Sequence, residues 1–263
     1  MGHVFCIANQ KGGVGKTTTS VNLAAALARR GHRVLLVDLD PQGNATMGSG
    51  VDKRTLERSV YQVLVGLSGL EEATLRSESG GYDVLPANRE LAGAEVELVD
   101  LPRREFRLRD ALAAAPSTYD FVLIDCPPSL SLLTLNALTC AHGVVIPMQC
   151  EYYALEGLSD LANTIKRVHA NLNRELRIVG LLRVMFDPRV TLQQQVSEEV
   201  KRHFGEKVFA TVIPRNVRLA EAPSHGVPGV VFDPRSRGAL AYLEFAAELE
   251  RRLGVAAPLA EAH

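Results

Sequence analysis

The chain has 263 residues, 46% hydrophobic and 22% charged, which is ordinary for a soluble globular protein and long enough to bury a sizeable core. A formal net charge of −1 excludes a constitutively basic nucleic-acid binder and leaves room only for a local basic patch. Cys6, Cys126, Cys140 and Cys150 are scattered without a Cys-x-x-Cys pair, which excludes a disulfide framework and a cysteine-held zinc site. No apolar run approaches the ~20 residues of a membrane span, and "VFCIANQ" carries no leader signal. The start "MGHVFC" has Cys6 where a myristoylation signal needs Ser or Thr. A cytoplasmic protein is expected.

From the N-terminus, the apolar run over 3–8 predicts a strand, followed by a glycine-rich stretch and a helix over 16–30 closed by Gly31. A strand over 33–39 carries Asp38 near its end and is followed by Asp40 and a Pro-Gln-Gly-Asn loop. The segment from Gly43 to Gly81 is the least legible, with turn residues around a short helix near 56–65. Next come a strand over 82–87, a helix over 104–115 and a strand over 119–125 that ends in Asp125. Helix 131–141, strand 143–148, helix 155–173, strand 177–185, helix 190–203 and strand 207–213 then alternate. The last helix, 237–253, sets Leu240, Leu243, Ala246, Ala247, Leu249 and Leu253 on a stripe expected to face the core. Several strands are apolar at consecutive positions, as strands covered on both faces are. The expected fold is α/β, a doubly wound, mostly parallel sheet flanked by helices, forming one domain over 1–263. Ligands in such folds bind beyond the carboxyl ends of the strands, where "NQKGGVGKT" falls.

That stretch reads as a phosphate loop. Gly12, Gly13 and Gly15, with Val14 among them, let backbone N–H groups turn toward phosphate oxygens. The helix beginning near Lys16 adds its positive end. Lys16 can reach β- and γ-phosphates, and the Thr17 hydroxyl can ligate Mg²⁺. Two features depart from the usual G-x-x-x-x-G-K-[ST] pattern. Gln10 stands where its first glycine belongs, and Lys11 adds a second lysine. Asp125, at the end of "FVLID", occupies the place from which a carboxylate holds Mg²⁺. Asp38 or Asp40 could position an attacking water.

"KGGVGKTTT", "LLVDLDPQGNAT", "FVLIDCPPSL" and "TVIPRNVRLAEAPSHGVP" resemble the deviant-Walker P-loop ATPases of the ParA/Soj partitioning family over nearly the whole chain. The resemblance is weakest between about 45 and 80. It implies a hydrolase of ATP that uses Mg²⁺ and forms an ATP-dependent homodimer. In that family the lysine matching Lys11 reaches across the dimer to the other subunit's ATP, in the manner of an arginine finger. The ATP-binding set it implies is Lys11, Gly12, Gly13, Val14, Gly15, Lys16, Thr17 and Thr18, with Pro214, Arg215 and Asn216 against the adenine. Asp40 would orient the hydrolytic water near the metal. Asp125 would hold Mg²⁺ in concert with Thr17. The resemblance also implies a ParB-type centromere-binding partner that accelerates hydrolysis.

Residues 163–237 hold 13 of the 29 Lys/Arg but only 7 of the 30 Asp/Glu. On charge alone this is a solvated basic face. The resemblance instead assigns Arg189 and Arg218 to contacts with nonspecific double-stranded DNA, without an N-terminal helix-turn-helix domain. A MinD-like membrane ATPase needs a basic amphipathic C-terminal helix, and "VAAPLAEAH" is a poor one. An iron protein like the nitrogenase reductase needs interface cysteines, for which only Cys126 and Cys140 offer themselves. A small-molecule ligase of the same superfamily needs an acceptor pocket that no polar constellation suggests.

Overall fold

The computed structural model describes residues 2–115 and 118–258. In chain order these form β1 (His3–Ile7), α1 (Lys16–Arg29), β2 (Val34–Asp38), α2 (Asn44–Gly48), α3 (Val60–Val65), α4 (Leu70–Ala73), β3 (Leu75–Ser77), β4 (Tyr82–Leu85), α5 (Leu91–Glu97) and α6 (Arg107–Ala114). There follow β5 (Phe121–Asp125), α7 (Leu132–Cys140), β6 (Gly143–Met148), α8 (Ala154–Asn171), β7 (Arg177–Phe186), α9 (Thr191–Phe204), β8 (Val208–Pro214), α10 (Val217–Glu221), α11 (Gly229–Phe232) and α12 (Arg237–Leu253). The strands make one sheet in the order β3-β4-β2-β5-β1-β6-β7-β8. It is parallel except at β3, which runs antiparallel to β4.

The central strands are apolar throughout because both faces are covered. Side chains alternate between two cores. Val4 and Cys6 of β1 join Leu133 of α7 and Leu161 of α8 on one face. Phe5 and Ile7 join Leu23 of α1 and Phe245 of α12 on the other. With every central strand parallel, the loops after β1, β2, β5, β6, β7 and β8 emerge at one edge of the sheet.

Several elements depart from the sequence reading. The segment from Gly43 to Gly81 holds α2, α3, α4 and the three-residue β3, none of them long enough to set up a period. Its α3 is fixed by a capping box, with the Ser59 hydroxyl accepting from the Tyr61 N–H and Gln62 bonding back to the Ser59 N–H. α5 was not expected. The expected helix over 104–115 begins as a 3₁₀ turn, Arg104–Phe106, before α6. The stripe on α12 is corrected at Leu240, which is 53% exposed. Ala246 and Leu249 are buried as expected and Leu243 and Leu253 pack against the core, joined by buried Ala239, Tyr242 and Phe245. The two aromatic rings bury more area than the leucines and rotate the helix toward themselves.

The ladder between β7 and β8 slips between Leu181 and Arg183. Side chains satisfy the backbone there. Arg183, 4% exposed, donates from Nη2 to the carbonyls of Phe209 (2.8 Å) and Ala210 (3.0 Å). The Glu248 carboxylate accepts from the N–H groups of Ala210 and Thr211, both at 2.8 Å, and from the Thr211 hydroxyl at 2.7 Å. Glu248→Ala should strand those donors and lower stability by about 2–4 kcal/mol. Urea unfolding measures the loss, and a change under half a kilocalorie would contradict it.

Candidate nucleotide site

β1 lies mid-sheet and its loop runs into α1. Gly13 and Gly15 have φ of 73° and 74°, in the left-handed region where a Cβ is disfavoured. A Cβ added to Gly12 or Gly13 would meet nothing within 4 Å, so the space beside both glycines is open. Gly15 is the N-cap of α1 and no side chain caps that helix, leaving first-turn N–H groups aimed at the loop. Asn9 pins the entry. Its Oδ1 accepts from the Lys11 N–H (3.0 Å) and its Nδ2 donates to the Pro147 carbonyl (2.8 Å).

The two lysines occupy opposite settings. Lys16 is 7% exposed and curls back so that Nζ donates to the Lys11 carbonyl at 3.2 Å. Burial lowers its pKa, against the raising influence of Asp125, Cys126 and Asp40. The Lys11 side chain is 47% exposed and pairs with Glu151 after β6.

Carboxylates from two neighbouring strands meet below the loop. Asp38 and Asp125 are register partners at the ends of β2 and β5, and both are fully buried. Asp125 accepts from the hydroxyls of Thr17 and Ser20, each at 2.8 Å. Asp38 accepts from the Thr46 N–H (2.8 Å) and hydroxyl (2.7 Å) and from the Asp40 N–H (3.1 Å). Burial, and then the charge of Asp38, push Asp125 up to about 7 against the pull of the two hydroxyls. Burial likewise raises Asp38 to about 6. Asp40 is partly exposed and accepts from the Gln42 N–H at 2.9 Å, which shapes the loop into α2. These donors are all oxygens, the set a hard divalent cation takes. Among the described residues no cluster of His, Cys, Asp and Glu could hold a metal alone. A cation here would draw on one hydroxyl, water and phosphate oxygens, which suits Mg²⁺.

On the far side of the loop lies a cavity of about 140 Å³ lined by Gly15, Thr18, Met185, Pro214, Arg215 and Asn216. The Asn216 side chain caps α10, accepting from the Leu219 N–H at 3.2 Å. Arg189, between β7 and α9, is 88% exposed at its side chain and pairs through two nitrogens with Asp187 at 2.9 and 2.8 Å. Those bonds hold the Asp187 carboxyl down near 2. Arg218, on α10, bonds Glu221 at 2.8 Å and faces Asp233 at 3.5 Å. The loop, Asp40, Asp125, residues 214–216 and both arginines thus share one edge of the sheet. Sequence reasoning missed Ser20, Thr46 and Gln149, whose Nε2 donates to the Gly13 carbonyl at 2.9 Å. Ser20 was within reach, since it lies one helical turn beyond Lys16 on the face that meets β5.

Residues 2–178 match the AAA_31 family, an AAA domain. An uncharacterized protein of Pseudomonas putida is 64% identical over 96% of this chain and 96% of its own. The sporulation initiation inhibitor protein Soj of Bacillus subtilis is 57% identical over 95% of this chain and 98% of its own. The chromosome partitioning protein ParA of Myxococcus xanthus is 51% identical, covering 96% and 89%. Among solved structures, cobyrinic acid a,c-diamide synthase from Mycobacterium smegmatis, with bound ADP and magnesium, superimposes with a TM-score of 0.85 at 42% identity, covering 97% and 96%. The cell division ATPase MinD of Pyrococcus furiosus gives 0.78 at 27% identity, covering 95% and 99%. Fold and loop together define a P-loop nucleoside triphosphatase. More narrowly, the chain belongs to the ParA/Soj family of partitioning ATPases.

The raised carboxyls have a measurable consequence. Each holds its proton more tightly in the folded chain than in the unfolded one, where it titrates near 4. The folded, metal-free protein therefore takes up protons as pH falls from about 7 to about 4, and the contribution of this pair to stability rises over that window. Asp125→Asn should flatten the slope. Denaturant melts at pH 8 and pH 5 measure it, and a variant as pH-dependent as its parent would count against the assignment.

Proposed function

We propose that this ATPase partitions DNA. ATP·Mg²⁺ drives two copies together, the dimer coats nonspecific double-stranded DNA, and hydrolysis, accelerated by a ParB-type partner, releases it. The observation that carries the reading is the contrast between the lysines. Lys16 is buried over its own loop, while Lys11 stands exposed and is held only by the exposed Glu151. An exposed cation held by one exchangeable carboxylate can serve the phosphates of a second copy, stabilising the charge that develops there. Catalysis and dimerisation then depend on the same nucleotide. Exposed Leu130, Tyr152, Tyr153, Val190, Leu192 and Val217 lie on or beside the loops at that edge, which suits a surface covered by another subunit.

In this reading, loop residues Gly12 to Thr18 hold the phosphates and Thr17 ligates Mg²⁺, with Asp125 behind it. Asp40 orients the water, and Pro214, Arg215 and Asn216 frame the adenine. Arg189 and Arg218 meet DNA phosphates in place of Asp187 and Glu221. Exposed ion pairs of this kind are worth about 0–1 kcal/mol, so phosphates can displace the carboxylates. Contacts to phosphate carry affinity without base information. The protein acts in the cytoplasm and associates with the nucleoid in its ATP state.

A MinD-like membrane role fits less well, because α12 buries Tyr242, Phe245, Ala246 and Leu249 in the core. The 42% identity to a chain described as cobyrinic acid a,c-diamide synthase favours a second reading, ATP-dependent amidation of a small acid. The higher identities belong to Soj and ParA, and DNA binding separates the two.

Binding to a random-sequence duplex should require ATP, fail with ADP and be lost in Lys11→Ala. If the dimer neutralises about four phosphates, log K should fall against log salt with a slope of roughly −3.6. Nucleotide-independent or salt-indifferent binding would overturn the switch. Asp40→Ala should keep the ATP-dependent DNA complex while turnover drops at least ~100-fold. Rapid turnover in that variant would remove Asp40 from the mechanism. Arg189→Glu should leave basal ATP hydrolysis intact and weaken DNA binding, and unchanged affinity would clear Arg189 of that role.

A further inference from the structure

Met185 departs from the backbone around it in two ways. Its φ is 52°, in the left-handed region that a residue with a Cβ enters against steric resistance. It is also where the pairing of β7 with β8 slips a second time. Val184 stands opposite Ile213 and Phe186 opposite Pro214, so Met185 is the extra residue of a bulge. Bulges re-aim side chains, and strained backbone persists where its surroundings over-determine it.

The re-aimed side chain goes to the phosphate loop. A Cβ on Gly15 would lie 3.7 Å from Met185 Cε. Gln149, after β6, donates from Nε2 to the Met185 sulfur at 3.2 Å and to the Gly13 carbonyl at 2.9 Å. One amide thus ties the thioether to the loop. Met185 also lines the cavity of about 140 Å³ that Pro214, Arg215 and Asn216 line.

Resting on the nucleotide reading above, the geometry points to Met185 as a specificity-determining wall of the base site, its thioether lying against the face of a purine ring. An unbranched, polarisable side chain suits that contact, because sulfur packs favourably on aromatic rings and three rotatable bonds let it follow the ring plane. A thioether offers the ring no strong hydrogen bond, so the wall selects by stacked area, favouring a purine over the smaller pyrimidine. The strain at φ 52° is the cost of bringing the wall to the loop. Gln149 holds it there and couples occupation of the base site to Gly13.

The test is calorimetric titration of wild type, Met185→Gly and Met185→Leu with ADP, CDP and inorganic pyrophosphate, each with Mg²⁺, after thermal melts establish that the variants fold. Glycine tolerates the left-handed backbone, so it removes the wall without adding strain. Met185→Gly should weaken ADP about tenfold, leave pyrophosphate unchanged and shrink the preference for ADP over CDP. Met185→Leu, apolar and of similar volume, should restore ADP to within about threefold of wild type. Equal losses for ADP and pyrophosphate would make Met185 a support of the loop and overturn the inference, as would ADP affinity unchanged in Met185→Gly. Wild-type protein that binds pyrophosphate as tightly as ADP would remove the base site. Wild-type protein that binds neither would remove the nucleotide reading itself.

Discussion

A carboxylate buried at the end of a central strand, beside a second one, is the constraint on which the rest of this site depends. Asp125 and Asp38 sit side by side with solvent excluded, and their hydrogen bonds come from hydroxyls and amides. Two such charges in one apolar setting are costly until a proton or a cation joins them. The hydroxyls of Thr17 and Ser20 bind the first two turns of α1 to that carboxylate and fix the helix end that the phosphate loop leads into. Everything above follows from the anchoring: the inward curl of Lys16, the open space beside the loop's glycines, and the placement of Asp40 two residues past the end of β2.

A second theme is that groups at the rim have partners within their own chain. Lys11 pairs with Glu151, Arg189 with Asp187, and Arg218 with Glu221. Each pair is solvent-exposed, so each is held weakly and can be exchanged for another anion. The buried ion pairs behave differently. Glu250, 3% exposed, accepts from both Arg30 and His32, and Glu248 closes a gap in the sheet. The molecule separates fixed charge, which holds the fold, from loosely held charge at the edge where ligands arrive.

Much of this was legible in the sequence because burial on two faces leaves a strong mark. The consecutive apolar residues of β1, β2, β5 and β6 could belong to few structures other than a covered parallel sheet, and the glycines located the loop. What escaped detection was short or set by tertiary contact. β3 and α5 are too brief to establish a period, and α12 turns on two aromatic rings whose pull on the helix a leucine count ignores. The slip at Met185 leaves no local trace, since nothing in "LLRVMFDP" calls for a positive φ. It arises from pairing with β8 and contact with a loop 170 residues away in Gly15. For Arg189 and Arg218, composition gave the neighbourhood, whereas their carboxylate partners emerge only from the folded chain.

The margins of the sheet bear on how copies can assemble. At one margin β3 has three residues, and Arg76 on it is tied to Asp83. At the other, the carbonyls of Val208, Phe209 and Ala210 and the N–H groups of Ala210 and Thr211 are all taken by Arg252, Arg183 and Glu248. At residues 208–211 an incoming strand would find those backbone groups already taken, and at the other margin it would find a strand of only three residues. Polymers grown strand to strand are thereby disfavoured. Contacts between copies are steered toward helices and loops, and such contacts can come apart as readily as they form.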